Sequence, residues 1–292
     1  MKCEHCNISY TYHKAKNRAV CHYCGAWKPV PEDCPSCGKT GMRHFGLGTE
    51  QAEALTKAAF PDYRISRLDA DSSRKKGSGE KILKDFAAGK LDILIGTQMI
   101  AKGLDFAKVT LVGVLLADIS LNIPDFKSPE RTFQLLTQVA GRAGRREERG
   151  HVIVQTCLPE NYAIEASATG DYEGFYRTEL YFRKTLNYPP FSDVVQITVY
   201  ASAESDAADG AAKAKELLIS LLGVDPGVEI LVPGPAPIAK AGDDYRYHLY
   251  IKVSTSRRRV FERALAEVKH KINTDSTSPY RIIIDVNPYS LM

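Results

Sequence analysis

The chain has 292 residues, 44% hydrophobic and 25% charged, which is the balance of an ordinary soluble protein with room for two cored domains and a small module. No apolar run approaches the roughly eighteen residues of a membrane span, and the first residues form no basic-then-apolar leader, so no membrane association is expected and a cytoplasmic location is. The net charge of +4 is uneven: residues 1–48 hold seven Lys or Arg against three Asp or Glu, and the remainder balances at 32 against 32. Attraction to phosphates is therefore expected first from the N-terminal module.

Six of the seven cysteines lie in the first 37 residues, as the pairs Cys3 and Cys6, Cys21 and Cys24, Cys34 and Cys37, each separated by two residues. Each pair can present two thiolates from one tight knuckle, and two knuckles close a tetrahedral zinc site. In a cytosolic chain a metal is preferred to a disulfide framework. The fourteen residues between Cys6 and Cys21 suit a hairpin carrying Tyr10, Tyr12, His13, Lys14, Lys16 and Arg18. Aromatic faces beside cations would also make a single-strand contact surface, with hairpin packing as the plain alternative. Four cysteines complete one site and leave Cys34 and Cys37 as a half-site. That pair either recruits His5, His22 or His44, or is completed by a pair upstream of Met1. Cys157 reads as a buried small hydrophobe.

Farther along, Gly46 to Gln51 reads as a loop into a helix capped by Thr49 and stopped at Pro61, with a capped helix preferred to an anion site. Ile65 to Leu68 is expected as a strand, followed by a helix through Phe86 that Gly89 closes. Strands follow at Ile93 to Ile95, Val109 to Leu116 and Val152 to Gln155. Their poor alternation and interleaved helices predict a parallel sheet covered on both faces. Asp118 and Asp125 are expected as loop and capping residues at the sheet's C-terminal edge.

A helix beginning near Pro129 leads into Gln138-Val-Ala-Gly-Arg142-Ala-Gly-Arg145. Its two arginines, each directly after a glycine, can reach one anionic ligand while the glycines let backbone approach. That is the chemistry of planar cationic forks on a transferring phosphoryl group, and a solvated basic helix end is the alternative. Asp171 to Leu186 is expected as a helix whose aromatics, Tyr172, Phe175, Tyr176, Tyr181 and Phe182, form an inter-domain packing surface. The remainder reads β-α-β-β-α-β: strands at Val194 to Tyr200, Ile230 to Pro237, His248 to Val253 and Ile282 to Val286, with helices at Ala207 to Leu222 and Arg257 to Ile272. This order predicts a ferredoxin-like α+β domain, with Lys240, Tyr245, Arg246 and Tyr247 on a basic-aromatic loop.

The run Ile93-Leu-Ile-Gly-Thr97-Gln98-Met-Ile-Ala-Lys-Gly103-Leu-Asp105-Phe106, followed by Gln138 to Arg145, resembles motifs V and VI of superfamily 2 helicases. The resemblance implies that Arg142 and Arg145 point at the γ-phosphate of ATP and that Gln138 senses it. Gly103 and Asp105 would lie near the ribose, and Thr97 and Gln98 would contact a DNA phosphate. With the cysteine pairs, Gly46 to Gln51, Tyr188-Pro189-Pro190-Phe191 and Ile284 to Pro288, nearly the whole chain resembles the PriA, or primosomal protein N′, family of replication restart DNA helicases. The family implies an α/β RecA-like C-terminal lobe between a zinc-ribbon-like module and the α+β domain. The divisions are expected at 1–45, 46–168, a connecting helix at 169–186, and 187–292. It also implies two nested zinc sites, with Cys3, Cys6, Cys21 and Cys24 in the inner one and Cys34 and Cys37 as half of the outer one.

No Gly-x4-Gly-Lys-Ser/Thr phosphate loop and no Asp-Glu-x-His box occurs in the sequence. The expectation is thus the C-terminal half of an ATP-dependent 3′-to-5′ helicase of replication restart, inert as an ATPase by itself, for which ATP and Mg²⁺ are held mostly by a missing N-terminal lobe. Expected partners are forked or single-stranded DNA, the single-stranded DNA-binding protein and primosome proteins, with the chain a monomer. The alternatives are a zinc-ribbon nucleic-acid-binding scaffold without a motor and a primosome-interaction module.

Overall fold

A computed structural model describes residues 3–5, 10–13, 18–21, 26–31, 33, 38, 48–69, 77–97, 109–141, 150–274 and 277–291. The chain divides into two compact units. One comprises 43–123 and 128–175, and the other comprises 1–42, 124–127 and 176–292. Among the described residues no helix is long and apolar enough to cross a membrane.

The first unit is built on parallel β-pairs. Helix α1 (Thr49–Ala59) leads into β4 (Ile65–Leu68), and α2 (Ser78–Ala87) into β5 (Ile93–Gly96), which lies parallel to β4 with Ile65 opposite Ile93. Strands β1 to β3 belong to the cysteine module described below. A second parallel pair joins β6 (Leu111–Val114) to β7 (His151–Val154). The ladders are parallel as expected, but among the described residues they form two separate pairs in place of one sheet covered on both faces, with Leu111 and Ile153 exposed on the second; β6 stops short of Leu116, which turns into the left-handed region at φ 54°. The helix cap also differs from expectation. Gly48 is the N-cap and Thr49 is already helical, its hydroxyl drawn to Asp69 Oδ2 at 2.6 Å beside Arg67.

Between the strands of the second pair lie α3 (Asp118–Leu121) and α4 (Ser128–Ala140). After β7 come α5 (Tyr162–Thr169) and α6 (Tyr172–Thr185). Helix α5 was not anticipated, although its signals are present: Asn161 accepts a bond from the Ala163 amide at the N-cap, and Gly170 closes the C-terminus at φ 72°. It supplies Ala163 and Ala166 to a small core with Phe133 and Phe175. On helix α6 Phe175 is buried in that core, while Tyr172, Tyr176, Tyr181 and Phe182 are exposed.

The C-terminal domain runs β8 (Ser192–Ala201), α7 (Glu204–Leu222), β9 (Val228–Ile230), β10 (Gly234–Ala241), β11 (Asp244–Ser254), α8 (Arg258–Thr274) and β12 (Tyr280–Val286). The strand order β10-β11-β8-β12 is antiparallel throughout, which is the ferredoxin-like arrangement, and β9 adds to β11 beyond the end of β10. The single expected strand from Ile230 to Pro237 is therefore two strands. Pro233 lies in the break, directly before β10, where its missing N–H costs no ladder bond. Alternate residues Val195, Ile197, Val199, Leu249, Ile251 and Val253 meet Ala211, Ala214 and Leu218 of α7 and Phe261, Leu265 and Val268 of α8. Each fully buried Ile, Leu or Val of this core contributes about 1.5–3 kcal/mol relative to exposure. Lys240 and Tyr245 pair at the β10–β11 end rather than on a free loop, and Arg246 is buried, its guanidinium donating to the Ile238 carbonyl at 2.5–2.8 Å.

Candidate functional site

Helix α4 shows how a sequence can aim its own end. Ser128, Thr132, Phe133, Leu136 and Val139 recur at three- and four-residue intervals and are buried. Ser128 Oγ donates to the Ile123 carbonyl at 2.7 Å, and Thr132 Oγ1 donates to the Ser128 carbonyl at 2.8 Å. Phe133 stacks on Phe175 with centroids 4.1 Å apart and planes within 4°. The helix is thus fixed along one face while Thr137 and Gln138 remain exposed on the other. It ends with the Gly141 amide donating to Thr137 O at 3.0 Å, one residue before Arg142. Arg142 and Arg145 themselves lie outside the described residues.

Among the described residues Gly141 leaves room for a Cβ. A Cβ there would lie 3.5 Å from Thr137 O and 3.8 Å from Gln138 O, which is ordinary contact. Thr97 is exposed directly after β5, at the C-terminal end of a parallel strand, where open α/β sheets bind ligands. Gln98, Gly103 and Asp105 lie outside the described residues.

At the exit of the second parallel pair, Asp118 accepts from Thr156 Oγ1 at 2.6 Å and from the Cys157 amide at 3.0 Å. The Thr156 hydroxyl and then the Cys157 amide hold its carboxyl below the usual range. Asp125 accepts from the amides of Lys127 and Leu291 at 3.0 and 3.3 Å. Both carboxylates are therefore taken up in separate structural sets, and Asp118 opens α3 where a loop or capping position was expected. Cys157 corrects an expectation: it is exposed, because β7 has already left its ladder at Val154.

The cysteine module carries β1 (Thr11–His13), β2 (Arg18–Val20) and β3 (Trp27–Pro29) in an antiparallel sheet, with Thr11 opposite Val20 and Val20 opposite Trp27. Among the described residues Cys3 and Cys21 are buried together in one cluster, with Tyr10 and Ala26 packed against them. The Cys21 amide donates to the Ala26 carbonyl at 2.7 Å, which closes a knuckle. Two buried thiols brought together in one cluster fit a thiophilic metal such as zinc. Cys6, Cys24, Cys34 and Cys37 lie outside the described residues, as do Lys14 and Lys16. Of the expected single-strand surface, Tyr10 packs on the cysteines and Arg18 lies 4.3 Å above the half-exposed Trp27 ring. The sequence reading passed over Trp27, the chain's one tryptophan, although an aromatic six residues after a Cys-rich knuckle's first cysteine was there to be read.

Comparison with known proteins covers all three parts. Residues 3–29 match the family model of the PriA DNA helicase Cys-rich region, 43–147 that of the helicase conserved C-terminal domain, and 184–289 that of the primosomal protein N C-terminal domain. The replication restart protein PriA of Bacillus subtilis (strain 168) is 46% identical over 293 residues, covering 100% of this chain and 36% of that protein. Those of Synechocystis and Haemophilus influenzae are 39% and 38% identical, covering 100% and 99% of this chain and 34% and 39% of their own lengths. The chain thus spans little more than a third of the curated relatives it matches.

Proposed function

This chain belongs to the PriA family of replication restart proteins, and on that premise we propose that it forms the second RecA-like lobe, zinc module and C-terminal domain of an ATP-dependent 3′-to-5′ DNA helicase. The working parts are 1–45, 46–168, the connecting helix 169–186, and 187–292. The observation that carries the reading is α4: one face is buried, and its exposed end delivers Gln138 and Gly141 directly before Arg142.

In this reading Arg142 and Arg145 place permanent positive charge where the γ-phosphate gains negative charge in the transition state, and Gln138 senses that phosphate. Gly103 and Asp105 border the ribose. Thr97 and Gln98 hold a DNA phosphate, so that closure on nucleotide moves the strand. ATP and Mg²⁺ are cradled chiefly by a phosphate-loop lobe, and the chain alone turns over no ATP. The sulfurs of Cys3, Cys6, Cys21 and Cys24 hold one zinc, which knits the module, and Cys34 and Cys37 contribute half of a second site. Forked DNA, the single-stranded DNA-binding protein and primosome proteins are the partners.

Strand displacement tests this directly, in a protein that joins the chain to a phosphate-loop lobe of its family. ATP-dependent unwinding of duplexes with 3′ but not 5′ single-stranded loading tails is expected, and is lost in Thr97→Ala together with Gln98→Ala. Unwinding that ignores ATP, or a double variant with full activity, would contradict the proposal.

A further inference from the structure

The C-terminal sheet ends on two edges of opposite character. At one, β10 carries Pro235 and Pro237, and its register on β11 shifts between Pro235 and Lys240. Prolines and an irregular register keep an edge from pairing with a further strand. At the other, β12 reads Tyr-Arg-Ile-Ile-Ile-Asp-Val, without proline, glycine or lysine, and pairs with β8 in unbroken register from Tyr280 opposite Ala201 to Val286 opposite Val195. Every second residue of such a strand turns its amide and carbonyl away from its neighbour, and among the described residues no strand takes up those of β12.

The side chains repeat the contrast. Ile282 is buried in the core under α7 and α8, whereas Arg281, Ile283, Asp285 and Val286 are exposed, Ile283 at 48% and Val286 at 47%. Arg281, Ile283 and Asp285 alternate with the core positions and so share the opposite face. Arg281 lies 4.2 Å over the Tyr200 ring and 3.1 Å from Asp244 Oδ2, with its side chain still 59% exposed. Asp285, among the described residues, forms no ion pair.

About Ile283 the sequence of β12 is its own complement. Laid antiparallel against a second β12 with the two Ile283 residues opposite, Arg281 meets the second copy's Asp285, and Asp285 meets its Arg281. Ile282 then faces Ile284, and Tyr280 faces Val286, an aromatic beside a β-branched residue. A slip of two residues in either direction parts both charge pairs, so the charges select one register. Moving Arg281 from Asp244 to the copy's Asp285 exchanges one surface ion pair for another at little net cost. We propose that β12 docks on β12 of a second copy of this chain, antiparallel about Ile283, which joins four strands from each copy into one continuous sheet. A single strand pair buries less than the roughly 1,200 Å² of a standard interface, so the dimer forms as concentration rises, and the monomer expected of the sequence is its dilute form.

Sedimentation velocity of this chain from about 1 to about 200 µM tests the pairing, and a monomer–dimer equilibrium is expected within that range. Ile283→Arg sets two arginines on the symmetry axis and is expected to weaken the dimer about tenfold or more, with an unchanged melting temperature because Ile283 already faces water. Arg281→Asp and Asp285→Arg, each alone, set like charges opposite one another twice and are expected to do the same. An equimolar mixture of these two is expected to recover the association of the unaltered chain within about threefold, since each introduced charge then meets its opposite. Should Arg281→Asp unfold for want of its Asp244 pair, Ile283→Arg still decides. A chain that stays monomeric throughout the range would overturn the proposal. So would a dimer that Ile283→Arg leaves intact, which would put the contact on another surface, and so would a mixture of two folded charge variants that recovers nothing.

Discussion

Single residues in this chain separate structural need from chemical use. Gly210 in α7 faces the sheet so closely that a Cβ would lie 2.7 Å from the Tyr280 ring and 2.8 Å from Val199 Cγ1. Gly210→Ala is therefore expected to destabilise the C-terminal domain by about 1–3 kcal/mol, read as a lower denaturation midpoint. Gly141→Ala has room and improves helix propensity, so it is expected to leave the unfolding midpoint unchanged or raised while turnover in the joined protein falls. His248 offers a third case. It is buried among Gln196, Thr198 and Tyr250, and burial, followed by the nearby Arg246, pushes it from its ordinary 6.5 down to about 4. The unfolded chain accepts the proton near 6.5 and the folded one resists it until about 4. Stability is then full above 6.5 and is lost as the pH falls from 6.5 towards 4, by up to about 3 kcal/mol. A denaturation series over that range is expected to flatten in His248→Gln.

Elements differ in how far the sequence discloses them. The C-terminal domain was legible in order and fold because β8 and β11 alternate strictly between core and opposite face, and because α7 and α8 carry apolar residues at helical spacing. Helix α4 was legible for the same reason, down to its start near Pro129. Helix α5 was not, since eight alanine-rich residues carry a weak periodic signal and the capping pair Asn161 and Gly170 had to be read instead. Cys157 misled because an apolar run precedes it, although the ladder ends before it does. The cysteine module announces its metal chemistry by spacing, and its structure adds that Cys3 and Cys21 are buried together. Removing zinc with a chelator is accordingly expected to abolish the β1–β3 sheet while leaving β8 to β12 folded, seen as selective loss of amide protection in residues 3–31. Retained protection there after metal removal would show that the sheet stands on its own packing.

At the scale of the molecule, the chain is a string of readable elements joined by contacts that no local pattern encodes. Lys127 meets Pro288 across 161 positions and Asp125 meets Leu291 across 166. Neither Asp-Phe-Lys nor the closing Pro-Tyr-Ser-Leu says in isolation that the two belong together. The arginine motif is the reverse: residues and spacing point to the chemistry proposed for it, and the structure supplies the anchored helix that leads to it. The most direct measurement of the central claim is single-turnover ATP hydrolysis on forked DNA by the joined protein, with Arg142 and with Arg142→Ala, alongside DNA affinity. The account predicts a rate about 10³-fold lower in the variant with DNA affinity unchanged, the usual scale for removing such a finger. An undiminished rate, or a loss explained wholly by weaker DNA binding, would contradict it.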